Sequence, residues 1–177
     1  MKNFVRRYLV FGIIGIIFAG GCGLFRSSEP MKKYNSVYVG WIDLGEDNFA
    51  AYGYGSKDAW KEEIKSQNID SLQAYTRQYL HKWTVTGADS KNAVTPGDPN
   101  MIVVKFSNVV LSPGTDKLKC TMSFYDGASG KLIKSVDEEP SSVSNNPNSG
   151  YATASFSGKL SNEMYNMAND IKQALSN

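Results

Sequence analysis

The residues most able to do covalent or acid–base chemistry are few, because the 177-residue chain has two cysteines and one histidine. Cys120 occupies an inward position of an alternating segment, where a free cysteine packs as a small apolar side chain. A nucleophilic cysteine would need an exposed, electropositive setting with a base nearby. His81 is expected at a helix end beside Lys82, where the helix dipole stabilises a solvated imidazole. We therefore predict no catalytic residue, no metal site and no cofactor.

Two acidic clusters could each supply half of a carboxylate pair or the oxygen ligands of a calcium ion. They are Asp43, Glu46 and Asp47 after the first predicted strand, and Asp137, Glu138 and Glu139 after a later one. Neither cluster has the spacing of a known calcium loop. We interpret both as solvated acidic loops.

A group of aromatic residues is the remaining candidate site: Trp41, Phe49, Tyr52, Tyr54 and Trp60. These side chains could line a groove for a ligand or a partner, since such sites are rich in aromatic residues. They could equally form the corner of the core where strand, loop and helix meet. The spacing favours the core, and the groove remains the alternative.

Cys22 differs from Cys120 because of what precedes it. Three basic residues, an apolar run over 8–18 and then Ala19-Gly20-Gly21 lead directly into Cys22. This arrangement resembles the lipobox signal peptide of bacterial lipoproteins, with Ala19 where Leu is commonest. The resemblance implies that residues 1–21 are removed and that Cys22 is acylated with palmitate-type chains. A membrane-spanning helix is the alternative, but the apolar run is shorter than the ~20 residues that a span requires.

The charge balance changes once this leader is set aside. The chain has 19 basic and 17 acidic residues; Lys2, Arg6 and Arg7 are the only charged residues of the leader, which leaves 16 basic against 17 acidic. The absence of a basic patch argues against a nucleic-acid partner. Arg6-Arg7 could also begin a twin-arginine signal, but Val5 stands where that signal has Ser or Thr. Cys120 is left without a disulfide partner.

The rest of the chain has the length of one domain. We predict a tether over 22–34, spanning roughly 40 Å if fully extended, and a globular domain over 35–177. The predicted elements are a strand Ser36–Leu44, a helix from Lys57 to about Leu80 capped by Ser56 with an irregularity near Asn68, strands Trp83–Thr86, Met101–Leu111, Lys117–Tyr125 and Lys131–Val136, and a last helix from about 154–157 to Leu175. The last helix carries an apolar stripe of Phe156, Leu160, Met164, Met167, Ile171 and Leu175. This order predicts an α+β fold, two-layer, with a mostly antiparallel sheet and two helices packed on one face.

The element order, with a hairpin at Phe124–Val136, resembles small envelope-assembly lipoproteins such as the periplasmic activators of peptidoglycan synthases and the curli-secretion lipoproteins. No functional residue carries over from that likeness. We expect a lipid-anchored, non-enzymatic binding, assembly or surface component of the envelope with an envelope protein as its partner; a lipid-anchored hydrolase is the alternative. In bacteria with two membranes, Asp after the acylated cysteine retains a lipoprotein in the inner membrane. Gly23 follows Cys22 here, so we expect the outer membrane.

Overall fold

The computed structural model describes residues 31–112, 117–138 and 155–176. Its strands are β1 (Ser36–Val39), β2 (Thr84–Gly87), β3 (Met101–Ser112), β4 (Lys117–Asp126) and β5 (Leu132–Glu138). Its helices are α1 (Lys57–Ser66), α2 (Ala74–Tyr79) and α3 (Phe156–Ser176), and a π-helical segment, Gln67–Gln73, joins α1 to α2. Short 3-10 turns occupy Met31–Lys33 and Phe49–Tyr52. The predicted signal peptide, Cys22, Gly23 and residues 139–154 lie outside the described residues.

The strands form one five-stranded sheet in the order β2-β1-β3-β4-β5. The α+β class is confirmed, and the helices pack on one face as predicted. The sheet is mixed: β3/β4 and β4/β5 are antiparallel, whereas β1/β2 and β1/β3 are parallel. The β1/β2 pairing is parallel because the chain crosses through α1 and α2 before it returns as β2. Residues 88–100 then lead the chain back to the starting end of the sheet, so β3 also runs parallel to β1.

Alternating side chains of the long central strands form the inner layer of the core. They are Ile102 and Val104 from β3 and Leu118, Cys120, Met122 and Phe124 from β4, all buried. The predicted stripe of α3 packs over them: Leu160, Met164, Met167, Ile171 and Leu175 are buried, and Phe156 is half-buried against the same core. Burial of each such side chain stabilises the fold by roughly 1.5–3 kcal/mol.

The predicted helix from Lys57 to Leu80 is helical almost throughout, with its irregularity where the sequence indicated one. Ser56 caps it, since the Ser56 hydroxyl accepts a hydrogen bond from the Ala59 amide at 3.2 Å. At Gln67 the backbone widens into the π segment before α2 begins. Wide turns of this kind are rare and occur often at functional sites.

The first strand is shorter than its sequence predicts, ending at Val39 rather than Leu44. The Gly40 amide still donates to the Val104 carbonyl at 2.8 Å, and a Cβ on Gly40 would lie 2.6 Å from that oxygen. Beyond Gly40 the chain leaves the sheet. A strand continued from β1 would place Ile42 and Leu44 on the face opposite Val39, but both turn into the main core beside Val39.

An acidic side chain fixes the start of the described chain to the rest of the domain. The carboxylate of Asp126, at the end of β4, accepts hydrogen bonds from the Tyr34 hydroxyl at 2.7 Å and the Lys33 ammonium at 2.9 Å. The amide and hydroxyl of Ser129 donate to its other oxygen, each at 2.8 Å. The four hydrogen bonds stabilise the ionised carboxylate and hold the pKa of Asp126 well below its ordinary value.

Candidate binding cleft

A cleft of about 470 Å³ opens on the face of the sheet that the helices leave uncovered. Its floor contains Tyr38 and Val103, which are register neighbours on β1 and β3 and belong to a small apolar cluster separate from the main core. Its walls are the loops that follow β1 and β2. The carboxyl ends of parallel strands meet at one edge of an open sheet, which is where such sheets bind ligands. The volume lies within the roughly 300–1,000 Å³ typical of ligand sites.

The lining of this open-face cleft combines one large aromatic side chain with charged and polar groups. Trp41, half-buried, packs against both the main core and the small apolar cluster. The charged groups are Asp43, Lys91 and Lys105, and the polar ones include Ser90, Asn92 and Thr95. The positive and negative charges nearly balance, so the cleft suits an occupant with mixed polar and apolar chemistry.

Two further depressions adjoin the cleft. One of about 330 Å³ lies between the same two loops and α1, and shares Trp41, Asp43 and Lys91 with the cleft. The other, of about 360 Å³, runs beside β3 and shares Asp43 and Phe106. Asp43 lines all three depressions, and Trp41 lines the cleft and the depression beside α1.

The wall that follows β1 is held from the far side of the sheet by Asn68 of the π segment. The Asn68 amide oxygen accepts from the Ile42 N–H at 2.6 Å, and the Asn68 NH2 group donates to the Ile42 carbonyl at 3.1 Å. The same NH2 group donates to Ile64 at 2.9 Å. A side-chain amide thus replaces the neighbouring strand that Ile42 would otherwise need for its backbone groups.

The wall that follows β2 is held by Gln73, the last residue of the π segment. The Gln73 NH2 group donates to the Ala88 carbonyl at 3.0 Å, and its amide oxygen accepts from Arg77 at 3.2 Å. A Cβ on Gly87 would collide with the Gln73 amide group. Glycine at position 87 therefore leaves the space in which this amide reaches the loop.

Ion pairs at the surface engage Glu46 and Asp47 of the first acidic cluster, one joining the two loops and the other joining the first loop to the start of α1. Lys91 donates to the Glu46 carboxylate at 2.9 Å, and Lys57 donates to Asp47 at 3.0 Å. The Lys91 charge lowers the pKa of Glu46. Such exposed pairs contribute little to stability, so they orient the loops more than they hold the fold. Asp43 is exposed, and its carboxylate accepts from the Gly45 amide at 3.1 Å.

The predicted aromatic group divides between the core and the cleft. Trp60 is fully buried, its indole N–H donating to Gly45 at 2.7 Å, with the Tyr52 ring stacked 5.5 Å away and Tyr54 edge-on at 5.1 Å. Phe156 of α3 joins these rings, 4.2 Å from Tyr52. Half-buried Phe49 packs against the same core. Trp41 stands apart from all of them, because it alone of the predicted five lines the open-face cleft.

The other sequence candidates lie away from this cleft. Cys120 is 4% exposed, and burial, followed by the charges of Glu138 and Asp137, raises the pKa of its thiol to about 12. His81 is exposed in the turn after α2. Asp137, in the second acidic cluster, accepts a hydrogen bond from Thr121 at 2.9 Å. Glu139 lies outside the described residues.

The prediction that Glu138 lies in a solvated acidic loop is wrong, because Glu138 is buried at the end of β5 and pairs with the half-buried Asp170 of α3. Glu138 is 7% exposed, opposite Cys120 in the β4–β5 register, and is hydrogen-bonded to Asp170. Burial, the Asp170 hydrogen bond and the charges of Asp170 and Glu163 raise the pKa of Glu138 to about 8. Burial also raises the pKa of Glu163 to about 7. The signal was present in the strand period, which places Glu138 on the inner face two residues after Val136.

Residues 31–112, 117–138 and 155–176 contain neither a membrane-spanning helix nor a metal-binding group of side chains. In these ranges no helix combines the length and the apolar character that a bilayer span requires. The same ranges contain no grouping of three or more His, Cys, Asp or Glu side chains arranged to hold a metal ion.

The chain is an α+β domain with an open-face cleft. Comparison with known proteins gives no family: no family model matches it, and neither does any curated protein. Among solved structures, one described as a neuraminyllactose-binding hemagglutinin homologue from Helicobacter pylori is similar at 12% identity and a TM-score of 0.38, over 82% of this chain and 84% of that one. A likeness at this level establishes neither the fold nor the function of this chain.

Proposed function

We propose that this protein is an outer-membrane lipoprotein, anchored through acylated Cys22, whose domain binds a segment of another envelope protein in the open-face cleft without acting as an enzyme. The anchor is supported by the leader and by Ala19-Gly20-Gly21 before Cys22. Two or more acyl chains hold a protein stably on a membrane, whereas a single chain does so only marginally. The outer-membrane location is supported by Gly23 at the sorting position.

The observation that carries the binding role is the position and form of the cleft. The chain enters the domain at the amino end of β1, beside Asp126, and the cleft lies at the carboxyl end of the same strand. An anchor at Cys22 would therefore leave the cleft at the far end of β1. The lining combines Trp41 with the charged side chains of Asp43, Lys91 and Lys105. A polypeptide segment with apolar and charged side chains matches its lining.

The anchor is tested by labelled palmitate, which should enter the parent protein and be absent from Cys22→Ala. Equal labelling of the two proteins would contradict it. Density-gradient separation of the membranes tests the location, and recovery with inner-membrane markers would overturn the outer-membrane assignment.

The binding role is tested by photo-crosslinking in intact cells. A photoreactive phenylalanine analogue at position 92, in the cleft, should give a discrete protein adduct. The matched control is the same analogue at position 132, since Leu132 is 49% exposed on β5 at the other edge of the sheet. Adducts at position 132 but not at position 92 would place the binding surface elsewhere. A small-molecule occupant would give no protein adduct from either position.

A further inference from the structure

We propose that Asn68 and Gln73 are positioning residues for the open-face cleft, and that the π segment between them sets the distance between its two walls. This inference rests on the proposed function, in which the cleft is the binding site. The two amides lie behind the sheet, and neither lines the cleft. Each nevertheless holds one of its walls by hydrogen bonds to the backbone.

Burial makes these two contacts specific. Asn68 is 2% exposed and Gln73 is 5% exposed, so neither amide can exchange its protein partner for bulk water. Loss of either amide would leave a backbone group of a wall unsatisfied, which is costly for a buried group. Because Ile42 lies 26 residues from Asn68 and Ala88 lies 15 from Gln73, neither contact is part of local helix geometry.

The helical period explains why the segment is a π-helix. Residues five apart on an α-helix, at 3.6 per turn, lie about 140° apart around its axis, so the two amides would face different directions. The i→i+5 bonding of a π-helix brings residues five apart closer to one side. The wider turn therefore lets Asn68 and Gln73 reach two neighbouring loops of the same sheet edge.

Gln73 is itself held in place by two neighbours. The Arg77 Nη2 donates to the Gln73 amide oxygen, and the Arg77 Nε donates to the Val85 carbonyl at 3.4 Å. Gly87 supplies the space for the amide group. These contacts leave Gln73 one orientation, in which its NH2 group is directed at Ala88.

The test uses the full-length chain with Asn68→Leu and Gln73→Leu. Gln67→Leu is the matched control, since Gln67 lies in the same segment, is 3% exposed, and donates only to Glu63 of the adjoining helical turn. Hydrogen exchange of the purified protein should rise at least tenfold at residues 41–45 in Asn68→Leu. It should rise by a similar factor at residues 88–93 in Gln73→Leu. The control should leave both stretches at the parental rate.

Two milder variants keep the test decisive if a leucine variant fails to fold. Gln73→Glu retains an oxygen for Arg77 and replaces the donor to Ala88 with an acceptor oxygen, which repels the Ala88 carbonyl. Gly87→Ala displaces the amide without changing it. Both should loosen residues 88–93 selectively. Unchanged exchange in both stretches, or a rise spread equally over the whole domain, would overturn the proposal.

Crosslinking from position 92 separates this inference from the proposed function. If the cleft is the binding site, adduct yield should fall at least fivefold in the variants that loosen a wall and stay parental in Gln67→Leu. Parental adduct yield in a variant with a loosened wall would also overturn the positioning role. No adduct in the parent would count against the proposed function alone, because hydrogen exchange still decides whether the amides hold the walls.

Discussion

The described groups that act on the carboxyl group of Glu138 are themselves acidic, and this makes its replacement informative. It lies on the inner side of β5 and is hydrogen-bonded to Asp170, with Glu163 close enough to add its charge. Glu138→Gln keeps the volume and the hydrogen-bonding capacity of the side chain and removes its titration. Asp137→Asn is the matched control, because it removes a charge from the adjacent exposed position.

The expected sign follows from proton binding in the two states. With a pKa of about 8 when folded against an ordinary value of 4.5, Glu138 holds a proton that the unfolded chain releases. The free energy of unfolding therefore falls as the pH rises through this window. A displacement of this size corresponds to at most about 4–5 kcal/mol. Its hydrogen-bond partner Asp170 is only half-buried, so solvent screens part of the interaction and we expect about 2 kcal/mol.

Urea unfolding followed by tryptophan fluorescence at pH 5 and pH 8.5 measures this difference, with buried Trp60 as a reporter. The parent should lose about 2 kcal/mol more than Glu138→Gln between the two pH values. Glu163 remains in both proteins, so its own contribution cancels apart from the interaction of its charge with Glu138. Asp137→Asn should follow the parent. Parallel pH profiles for the parent and Glu138→Gln would refute the reasoning, since they would mean that the carboxyl group titrates alike folded and unfolded.

Three further predictions follow from the packing and the hydrogen bonds. Met167→Asp should lower the free energy of unfolding by several kcal/mol, because it buries an unpaired charge at a fully packed position. The control Met167→Leu should lower it by less than about 1.5 kcal/mol. A parental melting temperature for the aspartate variant would contradict the packing of α3. Cys120 in the detergent-extracted protein should react with a thiol reagent only after denaturant is added, and rapid labelling of the native protein would show that the thiol is accessible. Asp126→Asn should lower the melting temperature at pH 7, and the loss should shrink as the pH falls below about 4. The reason is that the hydrogen-bonded carboxylate of Asp126 stabilises the fold fully only at a pH where the carboxyl group is also ionised in the unfolded chain. An equal loss at pH 7 and pH 2.5 would exclude this origin.

Residues with a regular apolar period were predictable from the sequence. The stripe of α3 and the alternation of β4 are local patterns, and burial selects them whatever the neighbouring elements are. The length of β1 was not predictable in this way. The apolar residues Ile42 and Leu44 continue the composition of a strand, although the Ile42 backbone is hydrogen-bonded by the distant Asn68 side chain rather than by the sheet.

The cleft was predictable only in part, because its walls depend on contacts between remote parts of the chain. Trp41 could be recognised as a candidate from its aromatic character. The sequence did not indicate that Trp41 would line the cleft while Trp60 lies in the core. Asn68 and Gln73 are amides on an otherwise amphipathic helix, and such residues usually face solvent. The parallel direction of β2 follows from the helical crossover, which the strand pattern alone does not encode.

The hydrogen bonds of Asp126 also limit how far the domain can move from a lipid anchor at Cys22. Because Lys33 and Tyr34 are fixed to the end of β4, only the residues from Cys22 to Met31 separate the domain from an anchor at Cys22. This segment can span at most about 30 Å. In the anchored protein that we propose, this short connecting segment confines the cleft to a thin layer above the bilayer. The effective concentration of the cleft toward a membrane-bound partner is then high, so an interaction too weak to detect in solution would be occupied at the membrane.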